Sequence, residues 1–111
     1  MEGSRADMFR KLLDRDPDNP MVLCSLGIEL FKEGSYAEAR DHLFRAVENK
    51  PDYSVAYRML GRAHFELGED ADARRVFEKG REVAGQNGDL QTIKEIDVFA
   101  RRLEKRESAE D

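Results

Sequence analysis

The sequence has no tryptophan, a single cysteine and only two histidines among its 111 residues. With Cys24 alone, an internal disulfide and a cysteine-rich metal site are both excluded, and nothing points to an oxidising compartment. His42 and His64 stand too far apart, on separate helical segments, to read as a metal-ligand pair. No run approaches the ~18 apolar residues of a membrane span. The opening "MEGSRADMFRK" has no apolar stretch of signal-peptide length. A soluble cytoplasmic protein is therefore expected. No glycine-rich stretch has the form of a phosphate-cradling loop. Basic residues are outnumbered, 19 against 24 acidic, and the net charge of -5 argues against nucleic acid and anionic membranes as partners. Cys24 has no sequence-near base, and the carboxylates alternate with Lys and Arg as on a solvated helix face. No catalytic residue, metal or cofactor is expected.

What the chain does have is charge, 39% of its residues, interleaved with well-spread apolar positions. That pattern suits helices with one buried face, and the length allows one domain, 1–111. It also has an internal repeat. "LGIELFKEGSYAEARDHL" begins at Leu26 and "LGRAHFELGEDADARRVF" at Leu60, a shift of 34. At that shift Gly27 meets Gly61, Phe31 meets Phe65, Gly34 meets Gly68, Ala39-Arg40 meets Ala73-Arg74, and Leu43 meets Phe77. The shift also relates Phe9 to Leu43 and Pro17 to Pro51, so the N-terminal segment reads as the second half of a preceding unit.

Each unit reads as two helices. Asn19 suits a helix cap and Pro20 a first helical position. Gly34 and Gly68 end the first helix of each unit. Ser35-Tyr36-Ala37-Glu38 has the form of a capping box, and Pro51 stops the helix that follows. Asp89 is placed to cap a last helix carrying Leu90, Ile93, Ile96, Ala100 and Leu103 along one side. Six helices are expected, near 4–15, 20–33, 36–49, 54–67, 70–84 and 89–105, with a frayed tail at 106–111.

A 34-residue helix–turn–helix unit carrying "LCSLGIEL…ARDHL…P" and then "YRMLGRAH…ARRVF" resembles the tetratricopeptide repeat family. The departures are Leu23 and Tyr57 in place of Trp, His64 in place of Tyr, Arg81 at the place of Val47, and Gly85 in place of Pro. The resemblance implies an all-α superhelix of antiparallel hairpins: a half repeat at 4–17, full repeats at 20–53 and 54–87, and a capping helix at 89–105. Gly27 and Gly61 would be the close-contact positions of each hairpin. At the N-terminus, Met8, Phe9, Leu12 and Leu13 would pack on the Leu26–Leu30 face.

The resemblance also implies a concave groove that binds a partner protein or peptide without chemistry. Its positions fall on Cys24, Ile28 and Phe31 in the first unit and on Arg58, Met59, Arg62 and Phe65 in the second. Met21, Ser25, Lys32, Val55 and Glu66 flank them. The family's clamp for a terminal carboxylate needs Lys and Asn where this chain has Cys24, Ile28 and Met59. Phe31 and Phe65 read equally as core residues, and the last helix has room to lie across part of the groove. The alternative function is self-association as a homodimer through the half repeat, where Met8 and Leu12 lack a covering helix.

Overall fold

The computed structural model describes residues 4–110. Residues 1–3 and Asp111, counted above within the domain and the tail, lie outside this range. Six helices follow one another: α1 (Arg5–Arg15), α2 (Pro20–Lys32), α3 (Tyr36–Asn49), α4 (Ser54–Glu66), α5 (Asp70–Asn87) and α6 (Leu90–Glu110). There is no strand among the described residues. Each helix packs on the next in the chain, and the α2–α3 and α4–α5 hairpins are the most extensive pairs. The result is a slab of 46 × 31 × 19 Å.

Local chemistry sets most boundaries. Asn19 Oδ1 accepts from the backbone N–H of Met21 at 3.0 Å and Val22 at 3.2 Å, and Pro20 opens α2. Gly34, Gly68 and Gly88 take positive φ, between 69° and 82°, and each closes a helix with the same bond pair. At the first, Ser35 N–H donates to Leu30 O at 2.9 Å and Gly34 N–H to Phe31 O at 3.0 Å, satisfying two orphan carbonyls.

The capping box expected at Ser35 does not form. Its reciprocal bond needs the Ser35 backbone N–H, which the preceding turn has already committed to Leu30. Glu38 reaches Arg10 instead, at 2.9 Å. A box does form at the start of α1, between Ser4 and Asp7.

The core runs through both hairpins and includes Leu23, Leu26, Leu30, Leu43, Leu60 and Phe77. In α1 the inward residues are Ala6, Phe9 and Leu13. Met8 and Leu12 stay exposed, at 49% and 46%, on the other side of α1. The four-residue stripe expected there is thus split between two faces.

The C-terminal third departs most from the repeat. α5 runs past its expected end at 84 to Asn87, because Gly85 stands where a proline would have stopped it. α2 and α4 start 34 residues apart (20 and 54), but α4 and α6 start 36 apart (54 and 90). At the longer shift Ile96 falls on Leu60 and Thr92 on Ala56, and all four are buried. Leu90, placed above on the inward stripe, is 68% exposed. The tail is no fray: α6 continues to Glu110, and Arg106 donates to Phe65 O at 3.0 Å and pairs with Asp70.

Asp89 fastens α6 to α4. Its carboxylate accepts from Thr92 N–H at 3.1 Å, and from the Ser54 and Thr92 hydroxyls, each at 2.6 Å. Ser54 and Thr92 are buried polar residues satisfied by this one group. The Ser54 bond, then the Thr92 bonds, hold the Asp89 carboxyl below its ordinary pKa of 3.8. A depressed folded pKa means stabilisation that is present above 3.8 and lost as pH falls through the folded value. Asp89→Ala is expected to cost ~1–2 kcal/mol at neutral pH, a fall of roughly 4–15 °C in melting temperature for a domain of this size. The gap between variant and parent should narrow in melts at pH 3. An equal gap at both pH values would show that the carboxylate does not carry the effect.

Candidate functional site

α4 approaches both α2 and α6 closely, whereas the backbones of α3 and α5 do not come as near to each other. The first helices of the hairpins are therefore the closer-set row, and their free face is the inner, concave side of the slab. Arg58 and Arg62 lie on this face one turn apart. A cavity of about 240 Å³ opens between them and Glu95, Val98 and Phe99 of α6.

The residues assigned to the groove from sequence do not all reach it. Cys24 and Met59 are 2% and 4% exposed and belong to the core, so they offer no surface to a partner. Burial pushes the Cys24 thiol above its ordinary pKa, against a nucleophilic role at neutral pH. Ile28, Phe31 and Phe65 are half-buried, with part of each packed on the core. Phe31 meets Tyr36 edge-on with centroids 5.0 Å apart, and Phe65 meets Phe99 at 5.9 Å. Met21 and Val98, both exposed, extend the apolar part of the face.

The arginines of this face are in different states. Arg58 Nη1 donates to Glu95 Oε2 in a short ion pair. Arg106 lies over the Phe65 ring, 3.8 Å from its centroid, and is paired with Asp70. Arg62, like Arg106, lies over aromatic rings but has no ion pair among the described residues, and Arg102, also without one there, shares the Phe99 ring with it at 4.9 Å. The Arg62 guanidinium sits between the Phe31 and Phe99 rings, 4.7 and 4.5 Å from the centroids, with no hydrogen bond or ion pair among the described residues. Its Nε is buried without a partner, as are those of Arg58 and Arg106, so the difference lies in the outer nitrogens. Burial, and then the charge of Arg58, lower the Arg62 pKa. The two rings hold this cation by their π faces and leave its hydrogen-bonding capacity unused.

Sequence reasoning left open that the last helix lies across part of this face, and α6 does line it, through Glu95, Val98 and Phe99. The available signal was Phe99, which lies 34 residues beyond Phe65 and does join it, although the helix around it is in another register.

A second cavity, of about 510 Å³, lies on the opposite side between α3 and α5. Its walls include Phe44 and Val76, but the charges around it are already matched: Arg40 pairs with Glu69 at 2.7 Å, and Arg75 with Asp72. His64 Nδ1 bonds Glu69 Oε1 at 2.8 Å. The ligating atoms of His64, Glu69 and Asp72 gather within 4.8 Å of one another. Two arginines neutralise both carboxylates, so the cluster is an ion-pair network bracing the Gly68 turn rather than an open metal-ligand set. Among the described residues, no helix is long and apolar enough to cross a membrane.

Comparison with known proteins gives a consistent result. Sequence models described as tetratricopeptide repeat match residues 5–54 and 30–95. A TPR repeat-containing protein of Pseudomonas aeruginosa is 37% identical over 97 residues, covering 87% of this chain and 92% of its own. A protein of Bordetella parapertussis solved in solution superposes with a TM-score of 0.83 at 31% identity, covering 97% of this chain and 94% of that one. The TPR2B domain of yeast Sti1, solved as a complex with pHsp70, has the same fold, with a TM-score of 0.86 at 20% identity over 91% of this chain and 81% of that one. The repeat spacing, the stacked hairpins and these likenesses agree: the chain belongs to the tetratricopeptide repeat family.

Proposed function

We propose that the inner face of α2, α4 and α6 binds a segment of another protein, amphipathic and carrying at least one carboxylate, without catalysing a reaction. The observation that carries this reading is Arg62. In a chain where most arginines of the described residues are paired, it is held in place by two rings with its donors unspent. A carboxylate completes it at little ordering cost, because the guanidinium is already fixed. Val98 borders the same cavity, Ile28 lies one turn from Phe31 on α2, and Met21 extends the apolar surface towards the start of that helix. The complex of the Sti1 domain with pHsp70 supports the general use of this fold for protein partners. Cys24, Ile28 and Met59 replace the clamp positions, so the cation is supplied from elsewhere in the groove. A cytoplasmic setting belongs to the same reading.

Burying two or three apolar side chains at ~1.5–3 kcal/mol each, less the cost of association, corresponds to micromolar affinity. Arg62→Gln tests the reading. Twelve-residue peptides selected from a random displayed library should bind the variant at least tenfold more weakly by fluorescence anisotropy, with helicity unchanged. Equal affinity would leave Arg62 a packing residue with no part in binding. Self-association is the second reading, favoured by Met8 and Leu12, exposed one turn apart on α1. Light scattering on the same samples separates the two.

A further inference from the structure

Arg58 and Arg62 border one cavity, so their guanidinium groups offer two neighbouring places for carboxylates. One place is taken from within the chain. Glu95 Oε2 accepts from Arg58 Nη1, and Glu95 Oε1 accepts from Gln91 Nε2 at 3.1 Å. Both oxygens of Glu95 are engaged, so its carboxylate stands fixed where a ligand's would otherwise go. The other place, on Arg62, has no hydrogen-bonded or ion-paired anion among the described residues; Glu66, one turn further along α4, and Glu95 act on it only through space.

We propose that Glu95 is a resident occupant of a two-carboxylate receptor and sets the kind of segment the groove accepts: one that presents a single carboxylate to Arg62, flanked by apolar side chains. A segment with two adjacent carboxylates must bring its second charge beside that of Glu95. Like charges that close, in a half-enclosed cavity, repel more strongly than they would in water. The pairing is therefore selective in both directions. It supplies one anion that the arginines need, and it excludes ligands that would supply both. The apolar flanks have surfaces to meet: Val98, exposed at the cavity, and on α2 the half-buried Phe31 under Arg62 with Ile28 one turn away. α6 contributes both the occupant, Glu95, and one of the rings that fix the free cation, Phe99. The last helix is thus a wall of the receptor as well as a cover for the preceding hairpin.

This inference rests on the inner face being the binding surface, and the experiment keeps the two apart. Random twelve-residue displayed peptides are selected on the parent protein, on Glu95→Gln and on Arg62→Gln. Recovered peptides are then synthesised with each acidic residue changed to its amide, and affinities are measured by fluorescence anisotropy. The parent should select peptides with one required carboxylate, whose loss costs tenfold or more. Glu95→Gln should select peptides with two. The ratio of affinities for a two-carboxylate over a one-carboxylate peptide should rise at least tenfold from parent to Glu95→Gln, and return towards the parent value in Glu95→Asp. Glu95 is half-exposed, so the amide variant should keep its helicity. A merely structural role for Glu95 changes all affinities together and leaves that ratio unmoved. A ratio unchanged within twofold, with binding still dependent on Arg62, overturns the inference and leaves the groove reading standing. If no peptide is recovered on any of the three helical proteins, the groove reading falls and this inference falls with it.

Discussion

Gly61→Leu is expected to unfold the second hairpin, with a loss of cooperative melting at temperatures where the parent is folded. A Cβ at Gly61 would fall on the Phe77 ring, 2.5 Å from Cδ1 and closer still to Cε1. Phe77 cannot swing aside, because it is 2% exposed and its other face lies against Phe99 with centroids 6.4 Å apart. Overpacking a filled core costs ~1–3 kcal/mol for modest insertions. Three further carbons aimed at a trapped ring stand at the upper end of that range or beyond it. Gly27→Leu meets Leu43 in the same way, with a Cβ 2.5 Å from Cγ. A branched aliphatic chain gives way more readily than a ring, so the first hairpin should be damaged less. Gly85→Ala is the control. It lies within α5, has nothing within 4 Å of its added Cβ, and should gain ~0.5–1 kcal/mol from helix propensity. Thermal melts followed by circular dichroism rank the three. If Gly61→Leu melts with the parent, the close approach of α4 and α5 does not depend on a missing side chain.

The same glycine shows why so much of the fold could be read from the sequence. Gly61 and Gly27 are 34 residues apart and face Phe77 and Leu43, which are also 34 apart. The contact is therefore written twice in the sequence. Turn glycines and the Asn19-Pro20 start are legible for a related reason, since each satisfies backbone groups within a few residues of itself. Features that depend on a competing or distant partner were not legible. The Ser35 box failed over a backbone N–H already claimed by the turn before it. The register of α6 slipped by two because nothing local stops α5 at Gly85, and a period of 34 then put Lys94 and Glu95 where a Leu-Gly pair belongs. At the groove, sequence placed Arg58 and Arg62 together but could not distinguish a paired cation from an unpaired one. That difference is made by Glu95 and Phe99, on the helix whose register was lost. Cys24 and Met59 show the complementary limit: a family position fixes a helix turn more firmly than it fixes exposure.

Truncation before Asp89 should abolish the folded monomer. α6 buries Thr92, Ile96 and Leu103 almost completely, and Phe99 packs against both Phe65 and Phe77. Without α6 the α4–α5 hairpin presents Phe65, Phe77 and the groove at Gly80 to water, since Ile96 is one of the two residues that fill the space over Gly80. Three large apolar side chains at ~1.5–3 kcal/mol each amount to roughly 5–9 kcal/mol, comparable with the ~5–15 kcal/mol that keeps a whole domain folded. The Asp89 link to Ser54 and the Arg81–Asp97 and Arg58–Glu95 pairs would go as well. Ending the chain after Leu103 separates these contributions. That variant keeps Ile96, Phe99 and Leu103 and loses the outer turns that carry Arg106 and Glu107, which pair with Asp70 and Arg74. It should stay monomeric and melt only a few degrees lower, because partly exposed ion pairs contribute little each. Helicity per residue and light scattering, measured on both variants beside the parent, decide the matter. A chain ending at residue 88 that remains monomeric, with parental helicity and melting temperature, would show that the α4–α5 hairpin closes its own core and that α6 serves the groove alone.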